Sequence, residues 1–233
     1  MARLIGRILV LLAAIAVFLC KPQWLDVLHG WRFFESFSPL HLLWCIWLID
    51  MVYQLIPVKK KICLGSQKLF RFRFKPASGK LNRQSLQQHI ITTTKAAYKV
   101  FILWGLVIVG LGILFHRGIL TAEALFLVSV VFYVCDLICV LIWCPFRLIM
   151  KNRCCTTCRI FNWDHLMMFT PMLYVAGFYA YSLLAAAIVV WLVWELSVIL
   201  YPERFWEQSN EALTCANCTD KLCTQYCQKL RKD

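Results

Sequence analysis

The chain carries long apolar segments with few charged residues, and these segments constrain its fold more than any other feature. They run from Leu4 to Cys20, Pro39 to Pro57, Ala96 to Phe115, Ala122 to about Met150, and Asp164 to Tyr201. Hydrocarbon offers no partner for backbone N–H and C=O groups, so a segment that crosses a membrane forms a helix. The sequence is 61% hydrophobic and only 16% charged, and it therefore predicts an all-α integral membrane protein.

The last apolar segment, residues 164–201, is too long for a single crossing. At a helical rise of ~1.5 Å per residue it would extend ~57 Å, whereas the hydrocarbon core is ~30 Å thick. We therefore predict two short helices that turn near residues 179–182, and one long tilted helix is the alternative. Together with the four earlier segments, this hairpin gives about six transmembrane helices.

The distribution of Lys and Arg predicts the orientation of these helices. With both termini on one side, six spans place all 25 Lys and Arg residues on that side except Lys21, Arg32 and Arg117. Because cytoplasmic loops are enriched in Lys and Arg, this bias predicts that both termini are cytoplasmic. The expected location is the cell membrane, which the chain crosses several times.

The predicted spans divide the chain into consecutive parts. These are helices 1 and 2 with an outer interfacial segment (1–57), a basic cytosolic loop (58–95), helices 3 and 4 (96–150), a Cys-rich cytosolic loop (151–163), the helical hairpin (164–201) and a Cys-rich cytosolic tail (202–233). In the basic loop, Leu69 to Lys75 alternates apolar and basic residues, which predicts a strand with one face for anionic headgroups. The net charge of +13 then reflects topology and lipid binding, and nucleic acid is not an expected partner.

The cysteines predict a metal site on the cytosolic side. They form two tight clusters, Cys154-Cys155-x-x-Cys158 and Cys215-x-x-Cys218-x4-Cys223-x3-Cys227. Cytosolic thiols stay reduced, so C-x-x-C pairs there are more typical of a metal site than of a disulfide. If the hairpin returns the chain to the same side, the two clusters can meet and together supply four thiolates to zinc.

Other assignments of these cysteines stay open, because seven clustered thiols exceed the four that one zinc ion takes. The dense spacing in the tail also suits an iron–sulfur cluster, and redox-active thiols are a third option. Cys144 could be a further ligand, although a small residue at a helix break is the simpler interpretation. For Asp164 and His165 we favour a helix cap with an interfacial histidine over a ligand.

Four residues within the predicted spans form a candidate intramembrane polar site: Asp136, Cys139, Asp50 and Glu195. Buried acids are costly in hydrocarbon and often mark ion paths or contacts with partners. Asp136 lies ~15 Å from Phe146 at helical rise, close to the midplane. Its proximity to Cys135 and Cys139 suits a soft-metal or proton site, and a hydrogen bond from a protonated Asp136 to a neighbouring helix is the alternative.

No catalytic signature occurs in the sequence, which lacks a Gly-rich phosphate loop, G-x-S-x-G and H-E-x-x-H. We therefore expect a protein that is not an enzyme. The leading hypothesis is a scaffold or regulatory membrane component in which zinc clips the tail to the loop after helix 4, creating a docking face for a soluble cytosolic protein. The alternatives are a membrane electron-transfer protein with an iron–sulfur cluster, and a soft-metal transporter or sensor.

Overall fold

The computed structural model describes residues 2–57, 64–79, 82–152, 154–214 and 217. Within these residues the regular structure is helical, and two isolated β-bridges are its only extended pairings. The α-helices, in chain order, are α1 (Ala2–Cys20), α2 (Leu40–Leu55), α3 (Leu64–Gln67), α4 (Arg83–His116), α5 (Ala122–Leu141), α6 (Phe146–Met150), α7 (Asp164–Phe169) and α8 (Phe178–Leu200). Short 3₁₀ helices connect several of them.

Four of these helices, α1, α4, α5 and α8, are long and apolar enough to cross a membrane. Helix α2 is also apolar, but its 16 residues make it shorter. Large apolar side chains stay exposed along the long helices, as Leu106, Val109 and Ile113 do on α4. Such a surface is favourable against hydrocarbon and unfavourable in water. The all-α class predicted from the sequence is confirmed for the described residues, and four of their helices are candidates to cross a membrane.

Two helix boundaries differ from the predicted spans. Helix α5 ends at Leu141, and the shorter α6 follows after a break at Cys144 and Pro145, so the predicted fourth span is interrupted. Proline causes such a break because it has no backbone N–H and clashes with the preceding turn. The last apolar segment is divided at residues 175–177, and the predicted turn at residues 179–182 is wrong because these residues lie inside α8.

The predicted strand from Leu69 to Lys75 is wrong. Arg71–Arg73 forms a 3₁₀ turn, and the backbone is extended at the flanking residues Phe70 and Phe74. A strand requires a neighbouring strand to pair with, and the described residues near this segment offer only one isolated bridge, between Pro76 and Asn210. An alternation of apolar and basic residues therefore also occurs in a 3₁₀ turn and does not by itself indicate a strand.

The chain divides into two compact units. Unit 1 comprises Met1–Val52, Trp104–Ile138 and Asp164–Val189, and unit 2 comprises Tyr53–Leu103, Cys139–Trp163 and Val190–Asp233. The centre of unit 1 is the fully buried Trp47, whose ring centroid lies 5.2–6.2 Å from those of three other rings, Phe126, Tyr133 and Phe169. These aromatic contacts join α2, α5 and α7.

Within unit 1, the segment after α1 is bonded to the start of α8. Gly30 donates its N–H to the carbonyl of Ala176 at 2.8 Å, and Phe178 donates to the carbonyl of Gly30 at 3.0 Å. Gly30 has a φ of +56°, in the left-handed region that favours glycine. A Cβ atom at Gly177 would lie 2.0 Å from the carbonyl oxygen of Leu28. Glycine is therefore required where the two segments approach each other.

Unit 2 joins the basic loop to the segment that follows α8. Trp194 is fully buried and packs edge-on against Phe205, with ring centroids 5.0 Å apart. The backbone N–H of Lys75 donates to Asn210 Oδ1 at 3.1 Å, and the N–H of Glu211 donates to the Lys75 carbonyl at 2.8 Å. The described part of the basic loop is thus packed into unit 2.

Candidate functional site

Unit 2 brings together five cysteines that we call the thiol cluster: Cys139, Cys144, Cys154, Cys155 and Cys158. All five are free thiols. The thiols of Cys144 and Cys139 are hydrogen-bonded, and Cys155 interacts electrostatically with Cys144, Cys154 and Cys158. The sulfur of Cys155 also lies 4.0 Å from the carbonyl oxygen of Cys139. Two residues distant in sequence, Cys139 and Cys144, therefore join the first predicted cysteine cluster.

A buried ion pair anchors the loop that carries these cysteines. Arg159, directly after Cys158, pairs through both terminal nitrogens with Glu195 of α8, and its Nη1 lies 2.7 Å from Oε1. Trp163 Nε1 donates to the same carboxylate at 2.8 Å, and Trp194 Nε1 donates to the Arg159 carbonyl at 2.8 Å. Bidentate pairing of an arginine with a carboxylate fixes the orientation of both side chains and adds stability. Glu195 therefore holds the cysteine loop in place.

Lys68 of the basic loop is buried against the same cysteine loop. Its side chain is fully buried, and its Nζ donates to the carbonyls of Thr156 at 2.8 Å and Cys158 at 3.1 Å. The ammonium group also lies 5.0 Å and 5.4 Å from the ring centroids of Trp194 and Phe205, which are cation–π distances. A buried ammonium needs such contacts to offset its lost hydration. The fold thus fixes a positive charge beside the thiol cluster.

The members of the thiol cluster differ in acidity. A hydrogen bond with Cys139 and the backbone amides of Phe146 and Arg147 outweigh burial and lower the pKa of Cys144 to about 7. Burial and the neighbouring thiols raise the pKa of Cys155 to about 12, and burial also raises the pKa of Cys158. One member is therefore partly thiolate near neutral pH, whereas its buried neighbours stay protonated.

The expected metal ligands are only partly described. Cys154, Cys155 and Cys158 belong to the thiol cluster, whereas the expected ligands of the tail lie outside the described residues: Cys215, Cys218, Cys223 and Cys227. Among the described residues, no group of three or more His, Cys, Asp or Glu side chains has the geometry to hold a metal ion. The meeting of the two cysteine clusters therefore stays a prediction.

Unit 1 carries a second constellation that we call the charge network: Arg7, Asp50, Asp136, Asp164 and His165. Arg7 of α1 donates from Nη1 to Asp136 Oδ2 at 2.6 Å and to the carbonyl of Tyr133 at 2.6 Å. Its guanidinium carbon also lies 4.1 Å from the centroid of the Tyr133 ring. Asp136, expected from the sequence to be an intramembrane polar residue, is thus held in an ion pair between α1 and α5.

His165 links the other two carboxylates of the charge network. Its Nε2 lies 3.4 Å from Asp50 Oδ2, and its Nδ1 lies 3.1 Å from Asp164 Oδ1. The His165 side chain is only 5% exposed, whereas that of Asp50 is 50% exposed. His165 is therefore buried within unit 1 beside a carboxylate from α2, and its position at the membrane interface stays a prediction.

Sequence reasoning missed the basic partners at both sites, which are Arg7, Lys68 and Arg159. Arg7 lies inside an apolar span, and an arginine in that position is a signal of a buried pair that could have been used. Lys68 and Arg159 lie among many basic residues in loops. No feature of the sequence separates these two from cations on the surface.

Comparisons with known proteins add no identity to these sites. No known protein family, no curated protein and no solved structure matches this chain.

We predict that Cys144 is the thiol of this cluster that reacts most readily near neutral pH. In metal-free protein, its rate of alkylation by an uncharged maleimide should rise with pH, with a midpoint at about 7, because only the thiolate reacts. Cys155 should stay unmodified over the same range, since its pKa is raised to about 12. Peptide mass spectrometry measures both sites, and unfolded protein serves as the control. A Cys144 midpoint at the ordinary thiol value of ~8.5 would contradict this account.

Proposed function

We propose that this chain is a multi-pass membrane protein whose thiol cluster binds zinc together with cysteines of the C-terminal tail. The observation that best supports this proposal is the anchored cysteine loop, in which Arg159, Glu195 and Lys68 fix the backbone on both sides of Cys158. A structural metal site requires ligands held in a defined arrangement, and thiolates are preferred ligands of zinc. The loop thus offers half of a site that the tail would complete.

The charge beside the loop supports the same proposal. Zinc with four thiolate ligands carries a net negative charge, which is costly to bury without a compensating cation. The ammonium group of Lys68 lies beside Cys158 and would offset part of that charge. Metal binding would also displace the thiol protons of Cys155 and Cys158, so zinc affinity should increase with pH.

The path of the chain also favours a contribution from the tail. Unit 2 contains both the thiol cluster and the segment after α8, in which Glu211 is bonded to Lys75 of the basic loop. The described segment continues to Thr214, directly before Cys215. Zinc bound by both cysteine clusters would clip the tail to the loop after the fourth span. The clipped surface would then serve as a docking face for a soluble cytosolic protein.

A soft-metal transport path through the membrane has weaker support. Such a path would use Asp136 as a ligand or way-station, but Arg7 already occupies this carboxylate at 2.6 Å. A guanidinium group at this distance competes directly with a metal cation. An iron–sulfur cluster remains compatible with the thiols, and metal analysis distinguishes it from zinc.

We also propose six membrane crossings with both termini in the cytoplasm, so that the cysteine sites lie on the cytoplasmic side. The break at residues 175–177 supports this layout, because it separates the last apolar segment into two parts. The bonds between Gly30 and the residues flanking Gly177 support it further, since they connect this break to the segment expected on the outer side. Helix α2 and the segment from Asp164 to Gly177 would be the two short crossings.

Cysteine labelling of intact cells checks this topology. A membrane-impermeant maleimide should label a Ser36→Cys variant and should miss a Gln84→Cys variant until the membrane is permeabilised. Both positions are exposed, so access to the reagent depends on the side of the membrane. Peptide mass spectrometry separates these sites from the native cysteines. Labelling of the Gln84→Cys variant in intact cells would rule out the proposed orientation.

Metal analysis of protein purified without oxygen in mild detergent checks the proposed function. We expect stoichiometric zinc and no visible absorbance in the wild type. The Cys155→Ser and Cys158→Ser variants should lose most of the zinc, and they should lose thermal stability as well, because structural metal binding is folding free energy. The matched control is Cys45→Ser, which alters an exposed cysteine of α2 in the other unit.

Each result of that analysis has a definite meaning. Iron with sulfide and a broad brown absorbance would replace the zinc proposal with an electron-transfer protein. Full zinc content in both loop variants would exclude these cysteines as ligands. Absence of metal from the anaerobically purified wild type would exclude a resident metal site, leaving the thiol cluster as a set of free thiols.

A further inference from the structure

The N-terminal part of helix α4 has a packed face and an exposed face. On the packed face, Leu86, Ala97 and Val100 are buried in unit 2, and His89 stacks on Trp206 with ring centroids 5.1 Å apart. A helix has 3.6 residues per turn, so a second set of residues lies on the opposite side. We call four of these exposed residues the lysine face: Lys95, Tyr98, Lys99 and Ile102.

The two lysines of this face lie where the apolar part of α4 begins. No charged residue occurs from Val100 to Phe115. At a helical rise of ~1.5 Å per residue, the stretch from Lys99 to His116 extends ~26 Å along the helix axis, close to the ~30 Å thickness of a hydrocarbon core. When this stretch crosses a membrane, Lys95 and Lys99 therefore lie at the level of the lipid headgroups.

The ammonium groups of Lys95 and Lys99 have no carboxylate partner within the part of the chain that the structure describes. Both residues are exposed, and no Asp or Glu occurs between Asp50 and Glu123. Neither α4 nor the basic loop before it can therefore supply a counter-charge. Like charges four residues apart on a helix repel each other, and an anion bound between them offsets this repulsion.

Tyr98 and Ile102 continue the lysine face toward the apolar stretch. They are 63% and 61% exposed. A tyrosine is favoured at a membrane interface, because its ring contacts acyl chains while its hydroxyl contacts polar groups. The hydroxyl can donate a hydrogen bond to a phosphate oxygen, and Ile102 offers an apolar surface one turn further along. The order of these groups matches a phospholipid, with its charged headgroup followed by an acyl chain.

We propose that Lys95, Tyr98 and Lys99 bind the headgroup of an anionic phospholipid, whose acyl chain lies along Ile102. In the proposed orientation this lipid belongs to the cytoplasmic leaflet, where anionic lipids provide a negative surface potential. The inference rests on the proposed membrane crossing by α4. It does not depend on zinc at the thiol cluster, so the metal analysis and the lipid site can fail independently.

Native mass spectrometry of the full-length protein tests the site. Protein stripped of lipid in mild detergent is titrated with phosphatidylglycerol, or with phosphatidylcholine that has the same acyl chains and no net charge. Each lysine near an anionic headgroup should contribute about fivefold in affinity. We therefore expect one phosphatidylglycerol to bind at least about tenfold more tightly than phosphatidylcholine.

Two double variants with the same change in charge separate this site from the general basic character of the protein. Lys95→Gln with Lys99→Gln should lower the affinity for phosphatidylglycerol by about tenfold or more. The matched control is Lys75→Gln with Arg83→Gln, which alters two exposed residues outside the lysine face and should leave the affinity nearly unchanged. Lys95→Arg with Lys99→Arg keeps both charges and should keep most of the binding. Thermal unfolding checks that every variant is folded.

Three results would overturn the lipid site. The first is an equal loss of affinity in both Gln double variants, because binding would then reflect overall charge. The second is equal affinity of the wild type for the two lipids. The third is binding of inorganic phosphate as tightly as phosphatidylglycerol, which would exclude an acyl-chain contact. A chain that is soluble without detergent would instead contradict the membrane location on which the site rests, a result distinct from these three.

Discussion

The described structure depends on ion pairs between largely buried side chains. A single charge in hydrocarbon costs ~2.5–3.5 kcal/mol on insertion scales, and more without local water. Arg7 therefore meets Asp136 in unit 1, and Arg159 meets Glu195 in unit 2. Each pair joins segments that are distant in the sequence. The pairs thus connect α1 to α5 in unit 1, and the cysteine loop to α8 in unit 2.

Much of the fold could be predicted from hydrophobic length alone. Apolar runs predict helices because backbone groups must be satisfied within the segment, and α1, α4, α5 and α8 follow this rule. The predictions that were wrong concern positions where local contacts, and not hydropathy, determine the backbone conformation. The break before α8 occurs at Gly177, where no side chain fits against the carbonyl of Leu28. The hydropathy of the segment does not predict that contact. The prediction of a strand from Leu69 to Lys75 was wrong because alternating apolar and basic residues indicate two different faces but do not provide a neighbouring strand for pairing.

The sites could be predicted only in part, because spacing describes one chain segment at a time. The C-x-x-C pattern indicated a thiol site at Cys155 and Cys158, and Asp136 was singled out as a buried acid. Cys144 was considered from the sequence as a further ligand, whereas two other partners come from elsewhere in the chain, Lys68 from the basic loop and Arg7 from α1. Tertiary packing brings these residues together, and a single sequence does not encode distances between its helices in any local pattern.

A double-mutant cycle on Arg7 and Asp136 tests most directly whether charge pairing organises this protein. The free energy of unfolding in mild detergent would be compared for the wild type, Arg7→Met, Asp136→Asn and the double variant. Each single change should be strongly destabilising, because it leaves the partner charge or acid without its counterpart. The double variant should lose less stability than the two single losses combined, with a coupling of at least ~1 kcal/mol. Strictly additive losses would contradict the account, since they would mean that the two side chains act independently.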